Sequence, residues 1–216
     1  MIDMYRIVQT VVRLALPLQM RLRLSGERHL LVEGPALLIS NHLSLVDPLV
    51  IGAWLRRPLR IVAKAEMFDW PVIGGLARLC GVVPIQRGEW DLAAFATLQD
   101  ALRQGQWVLM FPEGTYPQPP RPAAMLQFKT GAAWLAAQTL APVVPIAVWG
   151  SEQVWSPRRN WRLWSRPLVH VRIGAPYAPQ RPADLSSHAA LQPLADEMAC
   201  HIRALLPERY HGAYAH

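Results

Sequence analysis

The feature of this chain that most restricts its fold is a repeated switch between short apolar runs and longer helical stretches. Candidate strands lie at 30–32, 36–40, 59–62, 82–85, 107–111, 143–149 and 168–173, and the run Trp107, Val108, Leu109, Met110 is the strongest candidate for a buried one. Candidate helices lie between them, at 91–104 and 123–138, with another starting near Pro48 and a closing one near 194–206. Strands alternating with helices predict an α/β domain, here a mixed, mostly parallel central sheet flanked by helices. A chain of 216 residues fits one such domain, 25–216, with an appendage at 1–24.

The appendage is apolar but interrupted. Ile7, Val8, Val11, Val12, Leu14, Leu16 and Leu18 are broken by Gln9, Arg13 and Pro17, whereas a spanning helix needs roughly 20 predominantly apolar residues. One reading is an amphipathic interfacial helix with Arg6, Arg13, Arg21 and Arg23 reaching toward lipid phosphates; the other is a first helix packed on the core. Hydrophobic residues make up 52% of the chain and charged ones only 17%, which points to an apolar partner. A net charge of +7 suits an anionic lipid surface, a nucleic acid or an anionic cofactor, and does not choose among them. Cys80 and Cys200 offer neither a disulfide framework nor metal-ligand spacing, so a reducing compartment is expected. No secretory signal is apparent at the amino terminus.

Two stretches resist assignment to an element. The segment 117–122 carries four prolines and is expected to be a stiff extended loop. The segment 154–167 interleaves Trp155, Trp161 and Trp164 with Arg158, Arg159, Arg162 and Arg166. That pattern fits a bilayer interface or a plain amphipathic loop, and less well a base-stacking surface.

The chemistry concentrates in Ile39-Ser-Asn-His-Leu-Ser-Leu-Val-Asp-Pro48. A histidine accepts a proton from an alcohol near neutral pH, and a carboxylate on its other ring nitrogen fixes the tautomer and supports the imidazolium. His42 and Asp47 are five apart, which on a continuous helix separates them by about 140°. They meet only across a bend, and Pro48 supplies one by disfavouring helix at Asp47 while suiting the first helical turn itself. Both then sit in a loop at a strand's carboxyl end, where open α/β sheets carry their sites. Taken alone, the pair also reads as a helix N-cap beside a hydrogen-bonded loop histidine.

Phe111-Pro-Glu-Gly-Thr-Tyr116 follows the strongest strand candidate. Gly114 permits a close backbone turn, and Glu113 and Thr115 offer an acceptor and a hydroxyl. The run 81–88 delivers Arg87, whose fork suits phosphate, and Lys64 is a second cation at a strand end. Each of these cations also reads as plain surface charge.

In this order the pieces resemble the glycerolipid acyltransferase family that includes the lysophosphatidic acid acyltransferases. Asn41, His42 and Asp47 match its first block, 83–87 its second, Phe111 to Thr115 its third and 143–147 its fourth. Lys129-Thr-Gly131 and Ala63-Lys-Ala-Glu66 also look like family sequence, and the likeness covers roughly 30–175. Two near-complete blocks about 70 residues apart favour the catalytic reading of His42 and Asp47. The resemblance implies His42 as general base with Asp47, and Arg87, Glu113, Gly114 and Thr115 as acceptor-binding, with Lys64 a further candidate for binding substrate. It implies acyl-CoA or acyl-carrier protein as co-substrate, a lysophospholipid acceptor and no further cofactor; no metal is expected either, since His42 and Asp47 lack an evident third ligand and histidines such as His170 and His201 are scattered. It also implies a peripheral place on the cytoplasmic face of the membrane, with no nucleic-acid partner. One departure matters: Tyr116 stands where phosphate-acceptor members usually carry arginine. Another lipid alcohol, such as a lyso-ornithine lipid or a glycolipid, is the alternative acceptor. Hydrolysis of the thioester and a non-catalytic membrane-binding module are the rival functions.

Overall fold

The computed structural model describes residues 2–55, 57–86, 91–118, 120–154 and 166–215. Its centre is a seven-stranded sheet made of β1 (Arg21–Ser25), β2 (Ala36–Ser40), β3 (Leu59–Lys64), β4 (Val83–Ile85), β5 (Trp107–Met110), β6 (Val143–Trp149) and β7 (Leu168–Ile173), in the order β1-β7-β6-β2-β5-β3-β4. Neighbours from β6 to β4 run parallel, β7 is antiparallel to β6, and β1 is parallel to β7. The sheet is therefore mixed and mostly parallel, as expected.

Helices cover both faces, which is why β2, β5 and β6 are buried throughout and read as continuous apolar runs. On one face Leu37, Ile39, Val108, Val143 and Ala147 pack under α4 (Leu92–Arg103), α5 (Gly131–Thr139) and α6 (His188–Arg203). On the other, Leu38, Leu109, Val144, Ile146 and Val148 meet α1 (Ile2–Gln19) and α2 (Asp47–Trp54). A short helix α3 (Pro71–Leu79) joins β3 to β4.

Three expectations are corrected. The run 30–32 is not a strand: a 3-10 turn occupies Glu27–Leu30 and Leu31 is exposed. The edge strand is instead β1, an Arg-Leu-Arg-Leu-Ser alternation with its leucines turned inward, so the boundary drawn at residue 24 falls inside a strand. The helix expected over 123–138 starts only at Gly131. Its first half stays extended because distant partners take its amides: Met125 donates to Tyr210 O, Phe128 to the Tyr214 hydroxyl and Lys129 to Pro112 O. The closing helix begins earlier than expected, at His188, because the Ser187 side chain accepts from Ala190 N and caps it.

The appendage combines both of its readings. One side of α1 packs on the core through Tyr5 and Leu16. Gln9 Nε2 donates to Gly52 O and Leu55 O, and Arg13 Nε to Ala53 O. These are carbonyls at the end of α2, which has no intrahelical donors left for them. Arg13 thus serves a neighbouring helix rather than reaching outward. The opposite side exposes Met4, Ile7, Val11, Leu14 and Leu18 in one stripe at helical spacing. No helix among the described residues is long and apolar enough to cross a membrane.

Candidate active site

Because β2, β5, β3 and β6 are parallel, their carboxyl ends share one edge of the sheet, and the chemistry-bearing loops gather there. Asn41 leaves β2 first and is fully buried. Its Nδ2 donates to Val148 O and its Oδ1 accepts from Val148 N, both at 2.8 Å, which clamps the loop to β6. The chain then turns, and Asp47, at the start of α2, points back into the turn. Its Oδ2 lies 2.9 Å from His42 Nδ1 and accepts from the amides of Leu43 at 2.7 Å and Ser44 at 2.8 Å.

That arrangement removes the N-cap reading of Asp47. The residue in the N-cap position of α2 is Val46, and the Asp47 carboxylate caps the preceding loop instead of the helix. Asp47 is fully buried and His42 keeps 11% of its side chain exposed. The imidazole is therefore oriented from inside, with Nδ1 engaged. Nε2 makes no hydrogen bond among the described residues. An imidazole held in this way presents Nε2 as a proton acceptor whose charged form the carboxylate stabilises. Phe111 stacks on the imidazole with ring centroids 4.4 Å apart, and Tyr116 meets it edge-on at 5.0 Å.

Glu113 comes to the same place from β5. It is 2% exposed, and its two oxygens accept from main-chain amides, Oε1 from His42 at 2.9 Å and Oε2 from Leu126 at 2.8 Å. Burial outweighs these bonds and pushes the carboxyl up to about 8, with the nearby Asp47 charge adding to the rise. Gly114 adopts φ +67, and a Cβ there would lie 3.2 Å from Lys129 Nζ, so the Lys129 side chain lies across this turn.

The expected site residues therefore separate. His42, Asp47 and Glu113 are in direct contact, Gly114 forms the adjoining turn and Thr115 is exposed beside it. Lys64 sits on the same sheet edge, at the end of β3, where it pairs with Glu66 at 3.6 Å. Arg87 lies outside the described residues, as do the tryptophans and most of the arginines of 154–167. Asn41, Phe111 and Tyr116 were not expected as site residues. Their signal was present in the sequence: Asn41 and Phe111 fall in the first and third family blocks, and Tyr116 is the departure that follows the third. Among the described residues no group of histidine, cysteine and carboxylate side chains could hold a metal ion.

The chain is similar to the chloroplastic 1-acyl-sn-glycerol-3-phosphate acyltransferase of Brassica napus, 30% identical over 166 residues that span 76% of this chain and 46% of the relative. It is also similar to a lyso-ornithine lipid O-acyltransferase of Pseudomonas aeruginosa, 38% identical over 104 residues, 48% of this chain and 38% of the relative. The chain thus spans less than half the length of these two relatives. The crystal structure of the 1-acyl-sn-glycerophosphate acyltransferase PlsC from Thermotoga maritima shares the fold, with a TM-score of 0.70 at 22% identity, covering 93% of this chain and 78% of that one. The family model for the Acyltransferase family matches residues 21–149, a stretch that holds β1 to β6 and every described residue of the site, and the chain belongs to that family.

Proposed function

We propose that this protein moves a fatty acyl group from a thioester, acyl-CoA or acyl-carrier protein, to the hydroxyl of a lysophospholipid, in the first instance 1-acylglycerol-3-phosphate. The observation that carries the reading is the 2.9 Å contact between His42 Nδ1 and a fully buried Asp47. His42 Nε2 takes the proton of the acceptor hydroxyl as its oxygen attacks the thioester carbonyl. The tetrahedral intermediate collapses by expelling the thiolate, which recovers a proton from the imidazolium. No covalent acyl-enzyme is required. Asp47 holds the imidazole in the needed tautomer, and Lys129, lying over Gly114, is the cation best placed beside the turn that faces the acceptor.

Membrane association at the cytoplasmic face is part of the same reading. The exposed stripe of α1, with Leu14 at 72% and Leu18 at 76% exposure, supports it, as do the net charge of +7 and the lipid nature of both substrates.

Tyr116 favours a second acceptor. Its ring touches His42, so this position borders the space in which the acceptor hydroxyl must sit, and a phenol there offers no charge to a phosphomonoester. A lyso-ornithine lipid is the alternative, supported by the similarity to enzymes that bear that name. Labelled acyl-CoA in mixed micelles, offered in turn with lysophosphatidic acid and lyso-ornithine lipid, tests both. Product with either acceptor that disappears in His42→Ala supports the mechanism, and the preferred acceptor selects between the two lipids. Absence of transfer from CoA and carrier-protein donors alike refutes acyl transfer.

A further inference from the structure

Resemblance assigns Glu113 to the binding of the acceptor, yet its surroundings leave that carboxylate little to offer one. A side chain 2% exposed has almost no surface for a substrate hydroxyl, and its two oxygens already accept from the main chain at His42 and Leu126. What it does have is reach between segments: the bond to His42 spans 71 residues of sequence and the bond to Leu126 spans 13. Together with Asp47 it takes three successive main-chain amides, at His42, Leu43 and Ser44, so two buried carboxylates define the path of the loop that carries the base.

We infer that Glu113 is a positioning residue: it ties the His42 main chain to the loop at Leu126 and so sets the distance between the base and the loop that borders the acceptor, touching neither substrate. The inference rests on the acyl-transfer reading for its kinetic consequence but not for its structural one. A displacement of about 1 Å at a reacting group costs on the order of 10²-fold in rate, so loss of this tie is expected in turnover rather than in affinity.

The test uses the full chain with Glu113→Ala and Glu113→Gln. Alanine removes both acceptors; glutamine keeps one carbonyl oxygen and turns its amide group toward the other N–H, so one of the two joints survives. The expected result is kcat lower by about 10²-fold in the alanine variant and by less in the glutamine variant, with KM for the lysolipid within about threefold of wild type in both. Amide hydrogen exchange at His42 and Leu126 should accelerate by about tenfold or more in Glu113→Ala while Leu38, inside β2, keeps its rate. A raised KM with kcat preserved would make Glu113 an acceptor-binding group and overturn the inference. Unchanged exchange at both amides would overturn it too. Exchange is read without substrate, so if the wild type transfers no acyl chain, acyl transfer falls while the positioning role is still decided. Should the alanine variant fail to fold, the glutamine variant carries both readouts.

Discussion

The two loops that border the site are built on opposite plans. The loop from Asn41 to Asp47 has a local centre: Asp47 binds the ring of His42 and the amides of Leu43 and Ser44, all within five residues, while Asn41 and the His42 amide anchor it to Val148 and Glu113. The loop from Phe111 to Thr130 has few local bonds and is held largely from outside, Met125 by Tyr210 and Phe128 by Tyr214, while Glu113 bonds Leu126 across the loop itself. The first loop therefore holds the His42 imidazole in a preset geometry. The second takes its shape from the carboxyl-terminal 3-10 turns Glu208–Tyr210 and Gly212–Tyr214, which lie far away in sequence. Cutting a bond in the first should damage chemistry most, and cutting one in the second should damage stability more than chemistry.

Asp47→Asn is the sharpest way to break the first plan. The side chain keeps its volume but loses the charge that fixes the imidazole tautomer, and a loss of turnover on the order of 10⁴-fold is expected, the scale seen when a histidine is left in the wrong tautomer. Single-turnover transfer at saturating acceptor would read it. A loss below tenfold would mean that Asp47 only braces the loop. Asp47→Ala should add about 1–3 kcal/mol of destabilisation, because the buried amides of Leu43 and Ser44 lose their acceptor.

In the second loop, Tyr214→Phe removes the hydroxyl that accepts from Phe128 N at 2.9 Å and donates to Asp196 at 3.2 Å. The urea midpoint should fall by the equivalent of about 1 kcal/mol, with kcat close to wild type. A large fall in kcat at unchanged stability would erase the contrast between the loops.

A slope with pH sharpens the comparison further, and it belongs to the residue that joins the two. The folded state raises the Glu113 carboxyl from its ordinary value of 4.5 to about 8. Between those values the folded chain retains a proton that the unfolded chain has released. This contribution to stability is complete below pH 4.5 and is lost as pH rises through about 8. Urea midpoints of the wild type should therefore decline relative to those of Glu113→Gln over that window. A difference that stays flat, or grows with pH, would show that the carboxyl titrates normally in the fold.

Much of this molecule was legible in the sequence for a physical reason that applies element by element. Strands β2, β6 and β7 were located to the residue because a strand covered on both faces, or paired at its ends by turn residues, must be apolar where it is buried. His42 and Asp47 could be paired because their contact is local, although Asp47 is itself the first residue of α2 and the bend lies ahead of it rather than being imposed there by Pro48. The errors fall where local pattern and tertiary demand disagree. The stretch 123–130 carries a helical stripe, but Tyr210, Tyr214 and Pro112 take the hydrogen-bonding groups a helix would have used. Leu30, Leu31 and Val32 are apolar enough for a strand, yet the sheet edge is filled by the more polar β1, which pairs with β7 across most of the chain length.

What the sequence determined by itself is the alternation of elements, the sheet's buried strands and the pairing of His42 with Asp47, since each depends on neighbours within a few residues or on the simple need to keep apolar groups from water. Only the tertiary structure decided that Glu113 is a buried tie rather than an exposed acceptor, that Arg13 serves the end of α2, and that Tyr116 borders the imidazole. Those outcomes depend on which distant main-chain group arrives unsatisfied beside a polar side chain, and a buried amide or carbonyl must find a partner wherever the fold leaves it.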